Sequence, residues 1–365
     1  MALALTLVLG MLLQIPLAFG QSDTSQAPQY RPWSRAHYLA ETDALHLFPD
    51  TYNYDPVGGR LFLQPLGMND DRVVMGPAIT MILGETSTYS PNFKDMANSN
   101  PALKSNAHIM NLQLSHGFRL KGYKLEVGGI IRNYQDEDQS NLSVFIAKVH
   151  EAVGSSPGAE LAPYSGAVGE NHTVVIGDDG SFFVSSADLY LKLQLLEEKP
   201  EGWLPNLAVK FIVRAPLSNQ EFNKFGEGLA VGLSKHLTNR LIFVSSVAIA
   251  HQQVEGKDFD SENLIIEPWM YDVFGGLVYD LKSPGFWTVS GGLKRSSRNI
   301  YYQNNPASAE PANIMLFSVN YQTRLKEWSY SFQFSEDVAN PRRAVEPDFT
   351  LEMTVRYRPK ASKRH

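Results

Sequence analysis

The sequence predicts an all-β protein, an up-and-down antiparallel transmembrane β-barrel of about twelve strands. Three observations predict it. Apolar residues recur at every second position through a series of short segments, and the gaps between those segments alternate short and long. No stretch from Arg72 onward stays apolar for the roughly 18 residues that a membrane-crossing helix needs.

Residues 1–20, MALALTLVLGMLLQIPLAFG, carry no charge, and Ala18 and Gly20 put small side chains at −3 and −1 of a break before Gln21. That is the apolar region and cleavage site of a secretory signal, expected to be removed after Gly20. The opening lacks the usual Lys or Arg, and a block this long could also just span a bilayer as an anchor. Pro16 and the small-x-small ending favour cleavage. Residues 21–71, rich in Pro, Asp and Gly, read as an N-terminal periplasmic segment or plug. Residues 72–358 read as the barrel, and 359–365 as a basic C-terminal tail.

The alternation predicts strands over 72–84, 107–120, 123–133, 187–196, 206–217 and 226–235. It continues over 240–251, 264–281, 286–296, 312–323, 328–336 and 347–358. The last segment is the clearest. Phe349, Leu351, Met353, Val355 and Tyr357 share one face, with Thr350, Glu352, Thr354 and Arg356 on the other. In 187–196, Leu189, Leu191, Leu193 and Leu195 oppose Asp188, Tyr190, Lys192 and Gln194. Each segment approaches the 9–11 residues of a tilted bilayer-crossing strand.

A half-buried soluble sheet would alternate in the same way, so the connections carry independent weight. Lys121-Gly122, 236–239, 282–285 and 324–327 are tight turns, whereas the gaps between them in sequence are mostly longer. Outer-membrane barrels sort their connections into short periplasmic turns and long external loops. A sandwich has no reason to do so. Tyr123, Trp269, Tyr271, Tyr279, Trp287, Tyr321, Trp328, Tyr330 and Tyr357 fall near strand ends, where interfacial girdles sit. The long gap 134–186 carries an amphipathic helical stripe at Leu142, Phe145, Ile146, Val149 and Val153. It also holds a hairpin pattern over 173–184, which would raise the strand count to fourteen if it entered the wall.

A resemblance supports the same fold. HGFRLKGYKLEVGGIIRNYQ leads into NLSVFIAKVHEAVGSSPG, then ADLYLKLQLLEE, NLAVKFIVRAPLS and FGEGLAVGLSKHLTNRLIFVSSVAIA follow in order. This succession resembles an uncharacterised, domain-of-unknown-function bacterial family of outer-membrane β-barrel proteins. It covers roughly residues 105–360 and rests on motif order. The resemblance implies fold and location, and no activity. Tyr357 is followed by the basic tail RPKASKRH, whereas many outer-membrane barrels end on an aromatic residue.

Composition removes several functions. With no cysteine, disulfide scaffolds, Cys-ligated zinc and thiol catalysis are excluded. An exported chain without cysteine suits a Gram-negative envelope. A net charge of −6 argues against nucleic acid as a partner. The expected partners are outer-membrane lipid, the barrel-assembly machinery and a small polar solute; no cofactor or metal is expected.

If the apolar faces meet lipid, the opposite faces line the interior. The inward candidates are Lys124, Glu126, Arg132, Asp188, Lys192, Lys210, Arg214, Asp272, Lys294, Glu352 and Arg356. Seven are basic and four acidic, a lean toward anionic solutes. Passage or binding of a small polar solute is the leading expectation. A non-conducting structural or assembly barrel closed by its own ion pairs is the alternative. A lipid hydrolase at the barrel rim is a third reading with poor support. Ser115 and His116 are chain neighbours on opposite faces, and no GxSxG element accompanies His251. His108 and His116 stand too far apart on one face for joint metal ligation.

Overall fold

The structure is a computed structural model that describes residues 71–90, 103–137, 182–199, 202–217, 225–253, 264–281, 286–297, 300–302, 312–325, 327–339 and 347–359. The amphipathic stripe at 142–153, the signal segment and nearly all of 21–71 lie outside them.

Strands β1 (Gly76–Ser90), β2 (Leu103–Leu120), β3 (Tyr123–Glu137), β4 (Phe182–Leu196), β5 (Asn206–Pro216), β6 (Gly226–His236) and β7 (Leu241–Gln252) follow one another as antiparallel neighbours. The wall continues through β9 (Trp269–Asp280), β10 (Phe286–Ser296), β12 (Ala312–Leu325), β13 (Trp328–Ala339) and β14 (Pro347–Tyr357). Pairing of β1 with β14, from Ile79↔Tyr357 to Thr88↔Pro347, closes the barrel. Closure leaves no unpaired edge, as a sheet in lipid requires. Two three-residue strands, β8 (Leu264–Ile266) and β11 (Ile300–Tyr302), pair with each other outside the barrel.

The wall therefore has twelve strands, not fourteen. Phe182, Phe183 and Val184, read from sequence as the second arm of a separate hairpin, are the first residues of β4. Its other arm lies outside the described residues. Segment 264–281 does not form one strand. Pro268 has no amide hydrogen for a ladder, and the chain breaks there into β8 and β9. β1 starts at Gly76, later than the predicted 72, and runs on to Ser90.

Every described wall strand buries alternate residues, as the Gly226–His236 and Trp269–Asp280 strands show most regularly. The exposed set is apolar: Met110, Leu112, Leu189, Phe211, Val247, Leu277, Phe317 and Leu351 all point outward. Such a continuous belt needs an apolar medium around it. The buried set is largely polar, with Asn111, Ser186, Ser234, Ser318, Asn320, Gln333 and Thr350 among it. This inversion of the soluble pattern is the main physical signature of the fold.

The two ends differ. β2–β3, β6–β7, β9–β10 and β12–β13 are joined by short connections at the end where β1 begins and β14 finishes, while the β4–β5 connection at that end is as long as β5–β6 at the other. The β2–β3 turn has Lys121 at φ 47° and Gly122 at φ 89°, the two-residue geometry that matches strand twist. Aromatic rings gather at this end: Trp287 packs on Tyr321 at 4.8 Å and Trp328 on Tyr357 at 4.7 Å. At the opposite end, Trp269 packs on His251 at 4.8 Å.

Candidate functional site

The interior polar groups are positioned by strand phase. Even-numbered residues of β3, β4 and β5 face inward, so three neighbouring strands bring their charges onto one wall. Ten of the eleven candidates are at most 8% exposed, Lys124 being the exception. Buried charge demands partners, and these sort into groups.

The first group spans three strands. Asp188 on β4 accepts from Arg132 Nε on β3 at 2.5 Å and from Arg214 Nε on β5 at 2.7 Å. Arg214 Nη2 adds a second contact at 3.0 Å, making the Arg214 pair bidentate. Register explains the meeting: Asp188 lies directly opposite Ile130 on β3 and Arg214 on β5. Arg132, two residues from Ile130, reaches it diagonally.

Nearer the short-turn end, Tyr190 organises a second group. Its hydroxyl donates to Glu126 Oε1 at 2.6 Å and accepts from Gln113 Nε2 at 2.6 Å. Lys192 Nζ lies 3.8 Å from Glu126 Oε2, and Lys210 Nζ sits 4.8 Å from the centre of the Tyr190 ring. Lys192 and Lys210 are themselves directly opposite each other in the β4–β5 register.

The other candidates are separate. Lys294 on β10 lies 3.6 Å from Asp272 on β9, which also accepts from Ser296 Oγ at 3.3 Å. On β14, Glu352 accepts from Thr354 Oγ1 at 3.0 Å, and Arg356 Nε donates to Thr80 Oγ1 at 3.0 Å. Lys124 sits at the short-turn rim and pairs with Glu197.

Sequence reasoning missed the strap formed by Asp71–Met75. It does not extend β1; it is bonded to interior side chains. Val73 N donates to Gln194 Oε1 at 2.8 Å and Val74 N to Glu126 Oε2 at 2.7 Å. Lys192 Nζ donates to the Arg72 carbonyl at 3.1 Å, and Arg358 Nη2 to the Met75 carbonyl at 3.0 Å. Gly117 lies beneath it: a Cβ there would stand 2.7 Å from the Val74 carbonyl carbon. The apolar run Val73-Val74-Met75 imitated a strand, which is why its sequence misled.

Also missed was a buried group at the short-turn end. Glu198 accepts from His236 Nδ1 at 2.6 Å and pairs with Lys235 Nζ at 2.9 Å. Ser234 Oγ, two residues from His236, donates to Asp71 Oδ2 at 2.5 Å. The Asn206 amide donates to Ser234 Oγ at 3.3 Å. Of the other histidines, His116 is outward and stacks near Phe118 at 6.2 Å, and His251 lies 3.9 Å from Glu227. Among the described residues no group of three or more His, Asp or Glu side chains is placed to hold a metal.

The adjoining interior surface on β6 and β7 carries small side chains along part of its length. Gly228, Ala230 and Gly232 on β6 and Ala248 and Ala250 on β7 carry the inward phase. Ala230, Ala248, Ala250 and Met270 pack with Ile130, Tyr190 and Ile212 in one buried cluster. Long charged chains on β3–β5 therefore run beside a smooth neighbour.

The sequence matches no protein-family model and no curated protein. Solved structures do match. An outer-membrane channel from Pseudomonas putida F1 aligns with a TM-score of 0.51 at 12% identity, over 79% of this chain and 97% of that one. The translocator domain of the autotransporter NalP from Neisseria meningitidis aligns with a TM-score of 0.46 at 9% identity, over 85% and 99%. The first likeness shows a shared barrel fold.

Proposed function

We propose that the protein is an outer-membrane β-barrel that binds or passes a small polar solute, with a preference for anions. The observation that supports this is the charge on the β3–β5 wall. Lys124, Arg132, Lys192, Lys210 and Arg214 stand there against Glu126 and Asp188, beside the small residues of β6 and β7. A low-dielectric wall with excess cationic groups attracts anions and repels cations. The same reading includes export by a leader cleaved after Gly20, insertion by the barrel-assembly machinery, and lipid against the apolar belt.

Fractionation with a heat-modifiability gel tests the location: the mature protein enriches in outer membranes and migrates differently before and after boiling. Planar-bilayer recording of the purified folded protein tests passage. A salt gradient yields a reversal potential of the sign that anion preference requires. A cation-preferring channel refutes the charge argument.

Silence across folded protein favours a second reading, a non-conducting envelope barrel. The Arg132–Asp188–Arg214 bridge and the Asp71–Met75 strap support that reading, because both tie interior groups to each other.

A further inference from the structure

The first residue of β1, Gly76, lies directly opposite Gly117 on β2, and the chain before it turns inward. Gly76 has φ 81°, a left-handed conformation that glycine adopts without penalty and other residues rarely do. Gly117 supplies the room: a Cβ there would strike the Val74 carbonyl and lie 2.8 Å from the Met75 Cα. These two facing glycines let Asp71–Met75 leave the wall and lie against its inner surface near the short-turn end.

From Gly76 the strap follows one row of interior residues, whose successive register partners are Gly76, Gly117, Glu126 and Lys192. Val74 N donates to Glu126, and Lys192 donates to the Arg72 carbonyl. Gln194, the next inward residue on β4, accepts from Val73 N and donates to the Asp71 carbonyl. The Asp71 carboxylate then accepts from Ser234 on β6. Five residues thus cross the interior of β2, β3 and β4 at right angles to the strands.

The wall side chains that hold the strap also have partners on the wall itself. Glu126 accepts from the Tyr190 hydroxyl and lies 3.8 Å from Lys192 Nζ. The Gln194 amide also donates to the Leu196 carbonyl at 2.6 Å and the Leu207 carbonyl at 3.2 Å. Ser234 Oγ accepts from the Asn206 amide. Departure of the strap therefore leaves none of these side chains without a hydrogen bond, and the strap's own amides and carbonyls pass to water at the mouth. The large cost of breaking buried contacts is a polar group left without a partner, and this arrangement avoids it. An element with two satisfied positions about a single flexible residue is a switch.

We infer that Asp71–Met75 is a gate, a crossbar that swings about Gly76 between this seated position and a released one that clears the short-turn mouth. It rests on the reading that the interior passes solute.

The chain has no cysteine, so a Val73→Cys thiol reports on the strap alone. Val73 is 3% exposed when the strap is seated, and its bond to Gln194 comes from the backbone. The probe is a water-soluble maleimide, added to the full-length mature Val73→Cys protein folded in detergent and checked by gel heat-modifiability. Gly117→Ala is the wedge, because it fills the seat and removes no hydrogen-bonding side chain. Added to the Val73→Cys parent, it speeds maleimide reaction by about tenfold or more and raises the bilayer current. Gly129→Ala, an outward site where a Cβ meets nothing closer than 3.5 Å, leaves both at parent values. Gln194→Ala gives the same gains as the wedge and serves where Gly117→Ala fails to fold. Unchanged labelling in the folded wedge variant, or equal gains in Gly129→Ala, overturns the gate. Faster labelling with an unchanged, measurable current also overturns it and leaves passage standing. Faster labelling with silence from parent and variant alike sinks passage, and the gate with it.

Discussion

Gly128 on β3 lies directly across the ladder from Tyr190 on β4, and a Cβ at position 128 would fall 2.5 Å from the tyrosine ring. The absence of a side chain at 128 is what lets the ring lie over the neighbouring strand. From there its hydroxyl reaches Glu126 and Gln113, both at 2.6 Å, while its face meets Lys210. One glycine on β3 thereby orders three polar side chains from β2, β3 and β5.

Gly128→Ala is accordingly expected to displace the ring. Overpacking at such a site costs about 1–3 kcal/mol. Urea unfolding in lipid vesicles would read the loss. Tyr190→Ala combined with Gly128→Ala should cost less than the two single effects added, since the clash vanishes with the ring. Full additivity would show that the close approach has no energetic weight.

Asp188 is the shared acceptor of two buried arginines, so its removal should be worse than the removal of either arginine alone. Breaking a buried pair leaves charge without its counter-ion and costs about 3–5 kcal/mol. Asp188→Asn keeps the shape and deletes the charge. The expected outcome is a lower unfolding midpoint, partly restored by adding Arg132→Met. An unchanged midpoint in Asp188→Asn would refute an energetic role for the bridge.

Gln194 holds the strap at two points. Gln194 accepts from Val73 N and its amide donates to the Asp71 carbonyl at 3.1 Å, so Gln194→Ala removes both. Each neutral hydrogen bond is worth about 1 kcal/mol net. Amide exchange at Val73 and Val74 should then speed up by about tenfold relative to β4 and β5 amides. Exchange that stays slow would mean that the other strap contacts suffice.

How far the sequence revealed all this depends on which property was sought. Period-two alternation survives whichever medium wets each face, so the wall strands were legible from Leu189 or Phe349 and their neighbours. Their true lengths were not. Residues 85–90 read Glu-Thr-Ser-Thr-Tyr-Ser, a run without aliphatic alternation, yet the ladder continues from Glu85↔His108 to Ser90↔Leu103. Beyond the lipid belt, hydrogen bonding persists after the hydrophobic signal has ended. The interior charges were visible as a polar phase, whereas their partnerships were not. That Asp188 meets Arg132 and Arg214 follows from strand order and register across more than fifty residues of intervening chain between β3 and β4 charges. Tyr190 was visible in the polar phase, but nothing in its spacing announced that Gly128 would make room for it.

The belt itself gives the last prediction, and it decides the medium on which the fold rests. Leu191 and Phe211 are opposed in the β4–β5 register and are 45% and 47% exposed. Arginine at a lipid-facing mid-bilayer position costs about 2–4 kcal/mol. Leu191→Arg and Phe211→Arg should each destabilise the barrel in vesicles by that amount. Thr323→Arg, outward beside the Trp328 end of β12, should cost less, about 0–1 kcal/mol, because it lies near the interface. Spin labels at Leu191, Phe211 and Met353 should report collision with lipid-soluble oxygen over water-soluble relaxants. Labels that respond to the water-soluble agent at all three positions would remove the apolar surround, and the transmembrane assignment with it.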